Sequence, residues 1–150
     1  MKLDRQEGES RNNLDEKGRL LVPSRLRAAL GGGMLVVTKG IDTCLWLFTQ
    51  EEWRRISENL MESTSLFDPK ARLIRRHIIA PAVEIEIDKA GRINIPPALR
   101  EAAGLTKECV ILGIENYIEI WDEAEYRSYQ TESELDFKEA AKELSKILSI

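Results

Sequence analysis

Histidine and cysteine are scarce in this sequence: His77 is its one histidine, and Cys44 and Cys109 are its two cysteines. The sequence also lacks the G-x-S-x-G, H-E-x-x-H and P-loop patterns of hydrolases, zinc proteases and nucleotide-binding enzymes. A catalytic triad would have to be built on His77, which lies in a helical pattern where a packing or surface role is favoured. We therefore expect no enzymatic activity, no cofactor and no small-molecule substrate.

No C-x-x-C pair is present, and the spacing of the two cysteines and the histidine does not favour a zinc site. Both cysteines lie in apolar stretches, which predicts two small, buried, reduced side chains and no metal. Long apolar runs are missing as well. A bilayer span needs about 20 such residues, and the first residues lack the apolar core of a signal peptide, so a cytoplasmic protein without membrane contact is expected.

An excess of positive charge is also absent, since the formal net charge is −4. The charge is unevenly distributed, however. Residues 1–30 and 70–107 carry +2 and +4, whereas residues 31–69 and 108–150 carry −3 and −7. This asymmetry predicts a basic surface on an acidic body, and a basic surface is compatible with nucleic-acid binding.

The sequence contains an internal repeat with an offset of 73 residues and no gap. Residues 15–27 align with residues 88–100, and the register continues beyond them, where Gly40-Ile41-Asp42 meets Gly113-Ile114-Glu115. Over residues 15–56, thirteen of the 42 positions are identical. The chain is therefore expected to consist of two copies of one structural unit.

Each copy shows the same order of predicted elements. Residues 83–87 alternate with period two, residues 88–91 form a turn, and residues 92–95 alternate again, which predicts a β-hairpin. Gly18 and Gly91 lie where such a turn needs positive φ. A short helix follows Pro23 or Pro96, with Leu26, Leu30, Leu99 and Ala103 facing a core.

Two further strands and a helix complete each copy. The strands are predicted at residues 35–38, 45–48, 110–112 and 118–121. Thr49 with Glu52, and Asp122 with Glu125, have the spacing of helix capping boxes. Trp53, Ile56 and Leu60 are predicted to form the buried stripe of the first helix. A second helix is predicted to begin at Asp68-Pro69. A C-terminal helix is predicted from Thr131, and its apolar side is expected to pack in the core or, as the second alternative, to dock on another subunit. That side consists of Phe137, Ala141, Leu144 and Leu148.

One β-β-α-β-β copy leaves strand edges open, and two copies can close them by pairing their strands. We therefore predict a mainly β protein with peripheral helices, an α+β fold in which two tandem repeats form one pseudo-twofold β-barrel. The predicted division is a first repeat at 8–62, a linker helix at 63–80, a second repeat at 81–130 and a C-terminal helix at 131–150, with the two repeats intertwined.

The Asp-x-x-Gly-Arg turn, present twice, is the strongest candidate for a functional site. Asp15 and Asp88 are expected to brace their turns by accepting hydrogen bonds from backbone amides, together with Gly18 and Gly91. Arg19, Arg92 and Lys17 either pair locally or project from a two-stranded ribbon. Such a ribbon fits the major groove of DNA, where arginine can bind guanine O6 and N7.

Other basic residues have two possible roles. Arg25, Arg27 and Arg100 follow the turns on short helices and either contact DNA phosphates or lie on a solvated face. Arg72, Arg75 and Arg76 share one side of the linker helix, where they make either a phosphate-binding patch or salt bridges to the acidic part of a neighbouring subunit.

The sequence resembles the MraZ family, which belongs with the AbrB-like swapped-hairpin DNA-binding proteins. The resemblance rests on two D-x-x-x-R motifs, Asp15 to Arg19 and Asp88 to Arg92, and on similar stretches such as Gly8-Glu9, Arg75-Arg76, residues 91–96, Ala103-Gly104-Leu105 and residues 119–122. It covers about residues 8–130.

The resemblance implies a swapped-hairpin barrel and a ring-shaped homo-oligomer, an octamer or larger. It also implies a nucleoid-associated repressor that binds short direct repeats in the promoter of the cell-division and cell-wall gene cluster, including its own gene. Carried onto this sequence, the DNA-binding residues are Lys17, Arg19, Arg25, Arg27, Lys89 and Arg92. A cyclic assembly of like-facing tips would bind repeats spaced by about 10 base pairs. The alternative is a protein-interaction or antitoxin-like module of the same fold.

Overall fold

The computed structural model describes residues 8–149 as eight strands, seven α-helices and one π-helical turn. The strands are β1 (Gly8–Asn13), β2 (Arg19–Leu21), β3 (Met34–Lys39), β4 (Leu45–Thr49), β5 (Val83–Glu86), β6 (Arg92–Asn94), β7 (Glu108–Ile114) and β8 (Tyr117–Asp122). The helices are α1 (Ser24–Leu30), α2 (Gln50–Ser63), α3 (Pro69–Ile74), α4 (Pro97–Ala102), α5 (Glu123–Glu132), α6 (Glu134–Glu143) and α7 (Ser145–Leu148), and the π-helical turn is Arg75–Ile79. The predicted α+β class is confirmed.

The two repeats exchange strands. Six strands form one antiparallel sheet in the order β1-β7-β8-β4-β3-β5, and β2 pairs with β6 in a second, two-stranded sheet. The first strand of each repeat therefore pairs with the third strand of the other, as β1 with β7 and β5 with β3. Between residues 8 and 149 no backbone pairing joins β1 to β5, so the closed barrel stays a prediction.

A pseudo-twofold axis is visible in two of these pairings. Leu20 lies opposite Ile93 in the β2–β6 ladder, and Trp46 lies opposite Glu119 in the β4–β8 ladder. In both pairs the two residues are repeat equivalents, 73 positions apart. The axis consequently passes through the centres of the two ladders and relates one half of the chain to the other.

The core lies on this axis. Leu20, Leu26 and Ile93 are completely buried, together with Leu35, Leu45, Ile95 and Ile118 from both repeats. Leu26, Leu30, Leu99 and Ala103 are buried as predicted. Cys44 and Cys109 are buried and unpaired in separate apolar clusters, and burial raises the pKa of both thiols, that of Cys109 to about 11.

The helix starts follow the sequence signals. Thr49 Oγ1 accepts a hydrogen bond from the Glu52 N–H at 3.1 Å, and Asp122 Oδ2 accepts one from the Glu125 N–H at 3.4 Å. Asp68 caps α3, and Pro69 is its first residue. The predicted N-cap residues Thr49 and Asp122 and the predicted start of the linker helix are therefore confirmed, although residues 64–68 are not helical. Glu52 does not complete the box, since its Oε1 accepts from Arg55 Nε at 2.8 Å.

Three predictions about helices and hairpins need correction. The α2 stripe of Trp53, Ile56 and Leu60 is only half-buried. The predicted C-terminal helix is divided into α6 and α7, and its expected core face is mostly exposed, with Phe137 at 70% and Leu148 at 54%. The predicted hairpin of residues 83–95 is reduced to one bridge, Ile87 to Ile93, because β5 and β6 belong to different sheets.

Candidate nucleic-acid interface

Two tight turns, residues 15–19 and residues 88–92, are called tip 1 and tip 2 here. In tip 1 the Gly18 N–H donates to the Asp15 carbonyl at 3.0 Å, and in tip 2 the Gly91 N–H donates to the Asp88 carbonyl at 3.0 Å. The φ angles of Gly18 and Gly91 are +80° and +85°, as the turn pattern predicted. A residue with a side chain would be strained at either position.

The aspartates hold these turns by accepting several hydrogen bonds. Asp15 Oδ1 accepts from the Lys17 and Arg19 backbone N–H groups at 2.9 and 2.8 Å. Asp88 Oδ1 accepts from the backbone N–H groups of Ala90 and Arg92, both at 2.9 Å. This geometry fits the turn-bracing role that the sequence assigned to Asp15 and Asp88.

The motif arginines lie against the same aspartates. Arg19 Nε donates to Asp15 Oδ2 at 2.7 Å, and Arg92 Nε lies 3.4 Å from Asp88 Oδ2. About a third of each arginine side chain is exposed, with 31% for Arg19 and 35% for Arg92. Both guanidinium groups are thus oriented by a carboxylate and remain accessible from solvent.

The two tips lie side by side across the repeat boundary. The Val22 N–H donates to the Gly91 carbonyl, and the Ile95 N–H donates to the Gly18 carbonyl, both at 2.9 Å. Arg92 Nη1 also lies 3.9 Å from Asp15 Oδ2. The two motifs that are 73 residues apart in sequence therefore form one surface, which we call the tip surface.

Each tip is covered by an arginine from the other repeat. Arg27 of α1 donates from Nη1 to the Ala90 carbonyl at 3.3 Å, and an ideal Cβ at Gly91 would overlap that Nη1. Arg100 of α4 occupies the equivalent place over tip 1. A Cβ at Gly18 would lie 2.6 Å from the Cζ atom of Arg100. The ends of these arginine side chains could move aside for a Cβ, so the requirement for glycine comes from the positive φ angles, and the contacts show how closely each arginine lies on its tip.

The tip surface is cationic. Lys17 and Lys89 are exposed at the two turns, and with four arginines they give six cations against the three carboxylates of Asp15, Glu16 and Asp88. The four arginines are Arg19, Arg27, Arg92 and Arg100. An accessible cluster of this kind fits the polyanionic backbone of a nucleic acid.

Arg25 does not belong to this cluster. Its Nη2 lies 3.5 Å from Ser10 Oγ, and a Cβ at Gly8 would overlap its Nη1, so the side chain covers the start of β1. Arg25 and Arg27 are two positions apart on α1, and such positions point to different sides of a helix. The structure thus separates one sequence-predicted DNA-binding residue from the other five.

Sequence reasoning did not predict the placement of Arg100. The sequence predicted a phosphate contact or a solvated helix face for it, whereas the structure places it directly over tip 1 and directs its Nε to the Ile95 carbonyl at 3.0 Å. The internal repeat contained a signal for this placement. Arginines stand at the equivalent positions 27 and 100, and glycines stand at the equivalent positions 18 and 91, so a contact between an arginine and a turn of the other repeat is expected to occur twice.

The remaining sequence candidates lie elsewhere. His77 Nε2 is 3.2 Å from the Gly40 carbonyl oxygen. Arg75 Nη2 donates to Thr64 Oγ1 at 3.1 Å, Arg72 Nη1 donates to the Leu66 carbonyl at 3.2 Å, and Arg76 is exposed. None of the helices within residues 8–149 has the length and hydropathy of a transmembrane span.

Acid should reduce the stability that Asp15 and Asp88 give to the two tips. Hydrogen bonds from the Arg19 N–H, the Arg19 guanidinium and the Lys17 N–H lower the pKa of Asp15 below its ordinary 3.8, and the Arg92 and Ala90 N–H groups likewise lower that of Asp88. Their stabilisation is present above pH about 4 and is lost as the pH falls through the lowered values. We expect Asp15→Asn with Asp88→Asn to reduce the free energy of unfolding at pH 7 and to flatten its fall below pH about 4.

Denaturant titrations between pH 2 and pH 7 would measure this difference. Glu16→Gln is the matched control, because Glu16 is exposed in the same turn. A doubly substituted protein with the pH profile of the wild type would contradict the bracing role of the aspartates.

Comparison with known proteins gives a consistent result. The model of the family described as "MraZ protein, putative antitoxin-like" matches residues 7–77 and 78–147. A curated relative from Treponema denticola, "Transcriptional regulator MraZ", is 51% identical over 140 residues, 93% of this chain and 97% of the relative. Relatives of the same name from two strains of Treponema pallidum are each 52% identical over 126 residues, 84% of this chain and 85% of the relative.

Proposed function

The chain belongs to the MraZ family, and on that premise we propose that it is a DNA-binding transcriptional regulator whose tip surface contacts promoter DNA. The observation that carries this proposal is the convergence of both D-x-x-G-R turns, which are joined by the Val22–Gly91 and Ile95–Gly18 hydrogen bonds. No catalytic role is proposed. The site of action is the cytoplasmic nucleoid, where promoter DNA lies.

Within the tip surface the side chains have different roles. Lys17 and Lys89 are exposed at the turns and contact phosphates. Arg19 and Arg92, each oriented by an aspartate, bind base edges in the major groove. Arg27 is half-buried over tip 2 and contributes by holding that turn as well as by its charge. Arg25 lies outside the tip surface and contacts a flanking phosphate beside β1.

The assembly and its target follow from the same family membership. We propose a ring of identical subunits, an octamer or larger, that presents its tips to short direct repeats in the promoter of the cell-division and cell-wall genes and represses its own operon. Several tips on one duplex raise the effective local concentration and offset the small number of phosphate contacts that each tip makes. The acidic body of the protein then faces away from the DNA.

The domain division and the barrel belong to the same proposal. The repeats at 8–62 and 81–130 form one intertwined unit, with 63–80 as the linker and 131–150 as the C-terminal segment. Strand exchange between β1 and β7 and between β5 and β3 supports this arrangement, since neither repeat has a complete sheet of its own. Curling of the six-stranded sheet against β2 and β6 would give the swapped-hairpin barrel.

DNA titration at several salt concentrations tests the proposal. A labelled duplex from upstream of the chain's own gene should bind more tightly than a scrambled duplex of the same length. We expect Lys17→Ala to weaken both complexes and to reduce the slope of log K against log salt by about one for each contact removed. The Lys17 side chain has no role in the hydrogen bonds of the turn, so its loss should leave folding unchanged.

Arg54→Ala is the control, because it removes an exposed cation from α2, outside the tip surface. It should leave the slope unchanged. Equal binding of the promoter and scrambled duplexes by the wild type, at every salt concentration, would contradict sequence-specific regulation. Copurification with one unrelated protein at a fixed ratio, without promoter binding, would instead support the antitoxin-like alternative that the family description contains.

A further inference from the structure

The helices α6 and α7, residues 134–148, form what we call the C-terminal arm. No residue of these two helices is buried. Leu135, Phe137 and Ile147 are 79%, 70% and 78% exposed, and Leu144 and Leu148 are about half exposed. An amphipathic helix normally covers its apolar face, so an arm with this composition indicates a docking surface.

The arm carries a row of acidic side chains beside its apolar residues. Asp136, Glu139 and Glu143 follow one another at helical spacings of three and four residues, so they share one side of α6. Phe137 and Ala140 follow Asp136 and Glu139 by one residue each and form the adjacent apolar row. Lys138 and Lys142 lie on the other side of α6, and Lys138 is 3.7 Å from Glu134 there. A partner that covers the apolar row therefore meets the acidic row beside it and must offer both apolar contact area and positive charge.

Residues 66–76, which we call the linker surface, have the complementary composition. Leu66, Phe67 and Leu73 are 64%, 87% and 64% exposed. Lys70 and Arg76 are also exposed, and Arg72 and Arg75 lie between them in the sequence. Asp68 is the one carboxylate of this segment, and its side chain caps α3 by accepting from the Lys70 N–H.

The arm and the linker surface belong to different halves of the chain. The linker surface follows α2, which packs on β3 and β4, and the arm follows α5, which packs on β7 and β8. The starts of α2 and α5, Gln50 and Glu123, are repeat equivalents. Equivalent positions in the two repeats thus lead to a linker surface with an excess of cations and to an arm whose apolar row is bordered by carboxylates.

The difference in charge between the acidic row of the arm and the linker surface favours one of the possible pairings of two copies. Contact between the apolar rows of two arms would bring the acidic rows beside them together, and contact between two linker surfaces would place cations against cations. Both like pairings are disfavoured, whereas the mixed pairing is favoured. We propose that the C-terminal arm of one copy docks on the linker surface of the next copy, so that the subunits join head to tail.

The inference rests on the proposed homo-oligomer and identifies the two faces that meet in it. A contact between different faces of identical subunits is heterologous, and such contacts produce rings when the rotation between subunits closes. Charge asymmetry between the halves therefore sets the direction of assembly, while the apolar rows supply the contact area.

Charge reversal in the full-length chain tests the pairing. The arm variant is Asp136→Lys with Glu139→Lys, and the linker variant is Lys70→Glu with Arg76→Glu. We expect each variant alone to have a lower native mass than the wild type at equal micromolar concentration. Combining all four substitutions in one chain exchanges the charges and should restore the wild-type mass. An equimolar mixture of the two variants should also restore it, because alternating copies pair a reversed arm with a reversed linker surface and a native arm with a native linker surface.

The control is Glu16→Lys with Glu101→Lys, which reverses two exposed carboxylates outside the arm and the linker surface and should keep the wild-type mass. Three outcomes would overturn the inference: wild-type mass in both variants, no recovery in the four-substitution chain, or a monomeric wild type. Docking of the arm on its own chain or on an unrelated protein would produce one of these outcomes.

DNA binding separates this inference from the proposed function. If the wild type binds promoter DNA through its tips and both charge-reversal variants keep the wild-type native mass, the head-to-tail contact is overturned and the proposed function stands. An assembly that responds to charge reversal as expected but binds promoter and scrambled DNA equally would leave the contact intact and contradict the function.

Discussion

Arg19→Ala should nearly abolish promoter binding by the assembled protein. A side chain that binds a guanine edge contributes about 1–3 kcal/mol for each tip, and the losses combine when several tips hold one duplex. For two engaged tips the expected loss is about 2–6 kcal/mol, which corresponds to about 30-fold or more in Kd. The guanidinium is oriented by Asp15 at 2.7 Å and the side chain is 31% exposed, so we expect it to contact DNA without rearrangement.

Arg127→Ala provides a matched control for this substitution. Arg127 also pairs with a carboxylate four residues away, since its Nη2 lies 3.0 Å from Glu123 Oε1, but it belongs to α5. Its removal should leave DNA affinity unchanged. Arg19→Lys keeps the charge and loses the bidentate fork, so it should retain the salt slope and lose the preference for the promoter. Affinity for the promoter unaltered by Arg19→Ala would contradict the base-contacting role.

Leu20→Ala should cause a large loss of stability. Leu20 is completely buried and lies opposite Ile93, its repeat equivalent, on the pseudo-twofold axis. Truncation of a fully buried leucine costs about 2–5 kcal/mol, because the cavity that remains is only partly filled. Both repeats line this position, so neither half can collapse into the space without moving the other.

Chemical denaturation monitored by circular dichroism would measure the loss. Leu21→Ala is the control, since Leu21 is the next residue of β2 and is 40% exposed. Its cost should be below about 1 kcal/mol. Similar midpoints for the two variants would contradict the central place of Leu20 in the core.

Local signals predicted the elements and the turns well. Gly18 and Gly91 stand where positive φ is required, and Thr49 and Asp122 cap the helices that their spacing predicted. These features depend on interactions within a few residues, and such interactions are readable from a single sequence. The internal repeat then supplied the overall organisation, because every local signal appeared twice.

Contacts between the repeats were less accessible to sequence reasoning. The repeat predicted that strands would pair, but it did not fix which strand of one half would join which strand of the other. The contacts of Arg27 with tip 2 and Arg100 with tip 1 join residues more than 60 positions apart. Both contacts arise because the pseudo-twofold axis brings the two repeats together. The internal repeat implies such an axis, but it does not show which segments the axis passes through.

Exposure of the C-terminal arm was mispredicted for a related reason. The periodicity of Phe137, Leu144 and Leu148 describes a helix with an apolar side, and it does not specify what covers that side. The position of Arg25, by contrast, could have been predicted from the sequence. Its separation from Arg27 follows from helix geometry alone, and a stricter count of residues per turn would have placed the two on different sides of α1.

The strand exchange has a consequence for the origin and engineering of this molecule. Because the ladders β2–β6 and β4–β8 each join equivalent segments, a shortened polypeptide with one motif has the geometry to build the same architecture from two separate molecules. Gene duplication and fusion would then convert a symmetric pair into a single chain and free its two halves to diverge in charge. A nick in the exposed stretch at residues 65–68 would leave two fragments still held together by their interlocked sheets.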